Sequence, residues 1–149
     1  CDALERLAGE TGGRVACAGA RLVTWDARRL DFDGGGVNWS GHGHSLGHGA
    51  PVPRAGADGV ASGARPTLFA SGAAMLVHRR TFLDVGGFDP RYFAYYEDVD
   101  LGWRLWLVGC EVVHVPDAVV RHKHHASARW LPSGAAATSI ASSAGARAD

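Results

Sequence analysis

The stretch Tyr96-Glu97-Asp98-Val99-Asp100-Leu101-Gly102-Trp103-Arg104 carries the densest chemistry in the chain. Three acids fall within four positions, and an apolar run follows at once. Asp98, Leu101, Leu105 and Val108 recur at helical spacing, which predicts a helix with these four on one face. Asp100 and Arg104 stand four apart and can pair along it. The acids then occupy the first turn, where the helix dipole favours negative charge. Gly109 follows the run and suits a C-terminal stop. Such acids can simply cap a helix. They can also hold one carboxylate at a helix start, facing a cleft, as a general base.

The elements that position this helix are readable along the chain. Asp2 to Glu10 reads as a short helix with Asp2 as N-cap, ended by Gly12-Gly13. Arg14 to Ala18 and Arg21 to Trp25 read as two short extended pieces, with a turn at Asp26-Ala27-Arg28 leading into Arg29 to Phe32. From Gly34 to Pro66, Gly, Ala, Pro and His dominate and periodicity fades. A stretch of this length without pattern is read as a long loop, functional or disordered. It contains His42, His44 and His48, spaced as metal ligands can be. No acid or Cys accompanies them, so a solvated loop is the leading reading and a metal site the alternative.

Thr67 to Phe69 and Ala73 to Val77 read as a strand entering the core, with Ser71-Gly72-Ala73-Ala74 small enough for close backbone approach by a strand or a ligand. Arg80 to Val85 predicts a short helix ended by Gly86-Gly87, and Phe88-Asp89-Pro90 a turn. Tyr92, Phe93, Tyr95 and Tyr96 are expected mostly in the core. Glu111 to Val115 and Ala118 to Arg121 read as strands around Pro116-Asp117, followed by His122-Lys123-His124-His125. Past Trp130 the chain is Ala, Ser and Gly without pattern. Residues 1–132 are therefore expected to form one domain, and 133–149 a disordered tail or linker.

Composition narrows the function. A chain of 149 residues, 46% hydrophobic, suits one domain with a real core. A net charge of zero argues against an electrostatic nucleic-acid binder. Cys1, Cys17 and Cys110 match no zinc spacing or disulfide framework, which points to a reducing compartment. No apolar run reaches the roughly 18 residues of a membrane helix. The chain has no initiator Met and opens at Cys1-Asp2-Ala3-Leu4, as if cut from something longer.

Four stretches together resemble the C-terminal half of a family 2 glycosyltransferase. They are Ser-Gly-Ala-Ala-Met-Leu-Val-His-Arg-Arg (71–80), Val-Gly-Gly-Phe-Asp-Pro (85–90), Tyr-Glu-Asp-Val-Asp-Leu-Gly-Trp-Arg (96–104) and Val-Pro-Asp-Ala-Val-Val-Arg-His-Lys-His-His-Ala-Ser (115–127). Each alone is a weak signal; the four in this order and spacing are a strong one. The likeness is densest to bacterial rhamnosyl- and galactofuranosyltransferases of surface polysaccharide synthesis. It implies an α/β fold, the C-terminal part of a GT-A (Rossmann-like, mixed-sheet) domain without its N-terminal nucleotide-binding half.

The resemblance also implies a reaction: inverting transfer from a nucleotide-sugar donor to a hydroxyl of a glycan or lipid-linked acceptor. The family pattern makes Asp98 the base, has Glu97 shape the acceptor side and leaves Asp100 structural. Gly72, Ala73 and Asp89 would face donor or acceptor sugar. A divalent cation (Mg or Mn) would be held in part by His122, with His124 and His125 as close alternatives. The implied location is cytoplasmic, with peripheral association at the inner face of the membrane left open. One departure stands out. The family's Asp-x-Asp metal motif belongs upstream of this segment; Asp31-Phe32-Asp33 has the letters but is read as turn chemistry before a glycine run. Two other readings compete: a non-catalytic carbohydrate- or partner-binding remnant of the fold, and a His-rich metal-binding protein.

Overall fold

A computed structural model describes residues 2–53, 63–92 and 95–123. Its elements run α1 (Asp2–Glu10), β1 (Val15–Thr24), β2 (Leu30–Phe32), β3 (Gly35–Val37), β4 (Gly43–Ser45), β5 (Arg65–Pro66), β6 (Met75–Val77), α2 (Arg79–Asp84), α3 (Glu97–Leu107) and β7 (Glu111–His122). The main sheet is mixed, in the order β2-β1-β7-β5. β1 pairs parallel with β7 along its whole length, from Val15↔Glu111 to Thr24↔His122. β2 and β6 both pair antiparallel with β1, at different positions along it. β3 and β4 form a separate hairpin.

β1 is a single ten-residue strand rather than two pieces. Its residues are buried almost from end to end, so the apolar–polar alternation that marks a half-exposed strand is missing. One face meets α1: Leu7 packs with Ala18, Ala20, Val113, Val115 and Ala118. The other face meets α3: Leu101 and Leu105 pack with Ala16, Cys17, Ala70 and Val112. The result is a helix–sheet–helix sandwich. Burial pushes the Cys17 thiol up to about 12, which makes it an inert packing group.

β7 is likewise one strand, not two. Its register jumps from Ala20↔Val115 to Arg21↔Val119, so Pro116, Asp117 and Ala118 form a bulge. Pro cannot donate to a ladder and is tolerated at such a point. The turn residues that split the sequence pattern are absorbed by a bulge inside a continuous strand.

Part of the stretch expected as a long loop is ordered. Asn38 closes the β3–β4 turn, its Oδ1 accepting hydrogen bonds from the Ser40 and His42 backbone N–H groups and from the Ser40 hydroxyl. Thr67 ties the hairpin to the domain: its hydroxyl accepts from Gly35 N–H at 2.7 Å and donates to Gly35 O at 3.0 Å. Two expectations about apolar side chains fail. Val108 is exposed, because α3 ends before it, and Tyr92 and Tyr95 are exposed rather than in the core. Phe93, His124, His125 and the expected tail lie outside the described residues. No described helix is long and apolar enough to cross a membrane.

α3 approaches the sheet closely at Gly102. A Cβ there would lie 2.5 Å from Leu68 O and 2.6 Å from Phe69 Cβ. Intrinsic propensity favours Ala over Gly in a helix by about 1 kcal/mol. The contact reverses the sign, since overpacking costs about 1–3 kcal/mol. Gly102→Ala is therefore expected to lower the urea midpoint, and a rise in midpoint would refute this account of the helix–sheet contact.

Candidate functional site

α3 opens on three acids, and the structure gives each a different environment. Asp100 Oδ2 accepts from Arg104 Nε at 2.8 Å, one turn along the helix. The same guanidinium donates to Val85 O and Gly87 O, both at 2.7 Å. Arg104 thus ties the helix to the carbonyls after α2, and Asp100 holds Arg104 in place. Asp98 turns the other way. Its Oδ2 accepts from Gly72 N–H at 2.9 Å, and its Oδ1 accepts from Val99 N–H at 2.9 Å. Glu97 lies beside them: a Cβ built on Gly72 would sit 3.4 Å from Glu97 Oε1 and 3.7 Å from Asp98 Oδ2. Gly72, Glu97 and Asp98 are therefore one cluster.

Glu97 Oε2 is buried, and no described residue hydrogen-bonds to it. A buried carboxylate oxygen without a donor is costly, so the atom is suited to a donor that a ligand brings. The backbone leading into the cluster is strained. Tyr95 and Tyr96 adopt φ of 71° and 70°, a left-handed conformation that aromatic residues seldom take.

The remaining expected residues are more dispersed. Ala73 is exposed next to Gly72, its N–H donating to Ser71 Oγ at 3.4 Å. Asp89 is engaged by Arg91, which donates from its backbone N–H and from Nε at 2.9 Å. Those hydrogen bonds and the Arg91 charge pull the Asp89 carboxyl down to about 2. His122 ends β7, with Nδ1 2.6 Å from Asp31 Oδ2. Val99, beside Asp98, and Val120, two residues before His122, both pack against the Leu22–Phe32–Phe69 cluster. The helix start and the strand end therefore border the same part of the core.

Asp31-Phe32-Asp33 is not a turn. Leu30–Phe32 is β2, and both aspartates are committed to side-chain partners. Asp31 reaches His122, and its Oδ1 lies 3.4 Å from His48 Nδ1. Asp33 Oδ1 accepts from Arg21 Nε at 2.6 Å and lies 2.9 Å from His114 Nε2, while Oδ2 accepts from Arg65 at 3.1 Å. His48 thus does have an acid beside it, supplied by the fold and not by its sequence neighbours. Yet no group of three or more His, Cys, Asp or Glu among the described residues is arranged to hold a metal. These residues alone do not fit a complete divalent-cation site.

Sequence reasoning missed the Arg21–Asp33–Arg65–His114 network. The available signal was a pair of charges, Arg21 and Asp33, at the edges of segments otherwise reading as buried strands.

The family described as Glycosyl transferase family group 2 matches residues 54–131, and the chain belongs to that family. An N-acetylglucosaminyl-diphospho-decaprenol L-rhamnosyltransferase of Mycobacterium tuberculosis is 53% identical over 66 residues, 44% of this chain and 22% of the relative. Rhamnosyltransferase WbbL of Escherichia coli is 43% identical over 56 residues, 37% of this chain and 21% of the relative. The chain thus spans about a fifth of the length of these relatives. A solved structure of GalNAc-T7 with UDP, GalNAc and Mn2+ matches with a TM-score of 0.56 at 17% identity, covering 78% of this chain and 24% of that one. The fold is accordingly the α/β architecture of a partial GT-A domain.

Asp33 provides a stability test. Burial alone would raise its carboxyl, but hydrogen bonds from His114 and Arg21, together with their charges, hold it well below the usual carboxylate range. The folded state therefore binds this proton less readily than the unfolded one. The stability this gives is complete above about pH 4, the unfolded value, and fades as pH falls towards the folded value. Asp33→Asn is expected to cost about 2–4 kcal/mol at pH 7, because Arg21 is left buried without its carboxylate. The gap to wild type should narrow as urea titrations move from about pH 5 to about pH 3. A gap that does not change with pH would show that the charge is not what stabilises the network.

Proposed function

We propose that this chain supplies the acceptor side of an inverting glycosyltransferase that uses a nucleotide-activated sugar. The observation that carries the reading is the Gly72–Glu97–Asp98 cluster, in which a buried carboxylate oxygen of Glu97 has no donor among the described residues beside a helix-start carboxylate. In the proposed reaction, an acceptor hydroxyl attacks the anomeric carbon of the donor from the face opposite the leaving group. The bond from that carbon to the diphosphate oxygen breaks, and the nucleoside diphosphate departs with the bonding pair. The transition state resembles the oxocarbenium-like one of glycoside chemistry.

Asp98 takes the acceptor proton. Gly72 N–H fixes the orientation of its Oδ2. Glu97 Oε2 accepts a hydrogen bond from a second acceptor hydroxyl, which orients the sugar. Asp100 and Arg104 act through position: they hold the start of α3 against the segment after α2. Gly72 and Ala73 leave the acceptor room, and Asp89, held by Arg91, shapes the rim.

A divalent cation, Mg or Mn, would neutralise charge developing on the leaving diphosphate. His122 is this chain's proposed ligand, with other ligands drawn from outside the described residues. The names of the relatives support a rhamnosyl-type donor, and that of the mycobacterial one a lipid-linked sugar acceptor; a cytoplasmic location and a role in cell-surface polysaccharide synthesis belong to the same proposal.

In the full-length enzyme, Asp98→Asn is expected to lower kcat by about a hundredfold to ten-thousandfold, the range that a positioned general base contributes. Its thermal midpoint should stay close to wild type. Asp100→Asn should instead lower the midpoint while keeping most turnover in the folded fraction. Near wild-type turnover by Asp98→Asn would remove Asp98 from the role of base.

A further inference from the structure

The hairpin of β3 and β4 is unused in the reaction described so far, and it presents Trp39 at its tip. Trp39 is 99% exposed. Scattered surface apolar side chains are ordinary, but an indole left almost wholly in water at the end of a rigid turn gains nothing from burial. The turn is rigid because Asn38 holds it from both sides. Its N–H donates to His42 O at 3.0 Å, its carbonyl accepts from Gly41 N–H at 2.9 Å, and its side chain accepts from Ser40 and His42.

The hairpin is also fixed in place beside the acids. A Cβ on Gly43, the residue that follows the turn, would lie 2.7 Å from Val99 Cγ2. Only glycine lets β4 lean so closely on the first turn of α3. Val99 sits between Asp98 and Asp100, so the base of the turn touches the helix at the carboxylate cluster.

The surroundings identify the chemistry of a ligand. Asn38, Ser40 and His42, which share the turn with the indole, are exposed hydrogen-bonding side chains. No Lys or Arg occurs from Leu30 to Pro53, which disfavours an anionic lipid surface. A flat ring with a negative face, sharing a turn with amide and hydroxyl groups, suits the C–H face and hydroxyl edge of a pyranose.

We propose that Trp39 is an aromatic platform for a sugar ring of the acceptor, presented beside the Asp98 cluster by the β3–β4 hairpin. The inference rests on the glycosyltransferase reading above and adds a specificity-determining residue to it. The test follows the Trp39 indole N–H by nitrogen-15 NMR, assigned through its loss in Trp39→Phe. Chitobiose, a methyl rhamnoside and a methyl galactoside are titrated separately into the chain, and phosphatidylglycerol vesicles in a parallel series. At least one saccharide is expected to shift the Trp39 signal saturably. Measured by titration calorimetry, Trp39→Ala should weaken that saccharide about tenfold, the factor that about 1.4 kcal/mol represents, and Trp39→Tyr should recover most of the loss.

The proposal is overturned if no saccharide moves the signal, or if Trp39→Ala binds as wild type does. It is equally overturned if vesicles alone broaden the signal, which would make the hairpin a membrane contact. Failure of the enzyme reading would look different: saccharide binding at Trp39 persists, but the full-length protein transfers no sugar. Failure of the platform alone would leave transfer active with an unchanged acceptor KM in Trp39→Ala.

Discussion

The parallel pairing of β1 with β7 is the constraint on which the rest of the chain depends. The two strands lie at opposite ends of the described sequence, and every intervening element is a crossover or an addition to them. Parallel neighbours cannot be joined by a tight turn, so the connection must be long. Here it contains the hairpin, β5, β6, α2 and α3. The pair is buried on both faces, under α1 and α3, and the small residues from Ala16 to Ala20 of β1 permit this. At Gly19 a Cβ would lie 2.5 Å from Ala70 Cβ. The close fit that denies the first half of β1 large side chains also brings α3 near enough for Leu101 and Leu105 to reach Val112.

The site inherits its precision from that packing. α3 is seated by apolar contacts along its length and by Arg104 near its end, so its first turn has little freedom to move. The side chains that do this are not the ones with free chemistry. Asp100 is spent on Arg104, and Asp89 on Arg91, while Asp98 is held by the backbone N–H groups of Gly72 and Val99 and Glu97 keeps a buried oxygen without a described partner. The four acids thus divide into two, Asp89 and Asp100, that are held by arginines and two, Glu97 and Asp98, that lie beside the same small-residue floor at Gly72. The left-handed Tyr95 and Tyr96 fit this division, since strained backbone persists only where its surroundings over-determine it.

What the sequence revealed follows from which signals were local. α1 and α3 were legible because their apolar spacing and their glycine stops are short-range patterns. The Asp100–Arg104 pair was legible because it spans one helical turn. β1 and β7 were each read as two pieces because local pattern cannot report burial on both faces, nor a partner strand that accommodates a proline bulge. The β3–β4 hairpin was invisible for a related reason. Its glycines are demanded by contacts with Phe69 and Val99, distant residues that no sequence window contains. The role proposed for Asp98 came from the family likeness, which no periodicity could have given.

Asp31 and Asp33 show the same lesson from the other side, and they also explain how the sheet keeps its register. In the sheet, β1 lies between β2 and β7. Even so, Asp31 meets His122 and Asp33 meets His114, both on β7, and Asp33 also holds Arg21 on β1. The two aspartates are two residues apart, so they reach the same side, and they span the central strand by way of polar side chains. Residue-by-residue slippage of β7 would turn His114 and His122 to the opposite face. Asp33 would then lose His114 and Asp31 would lose His122 in a largely buried setting, at a cost of about 1–3 kcal/mol each. Hydrophobic contact alone discriminates weakly here, because β7 carries valines on both faces. The polar seam makes one alignment of the parallel pair distinctly better than its neighbours, and with it the position of the strand end at which His122 stands.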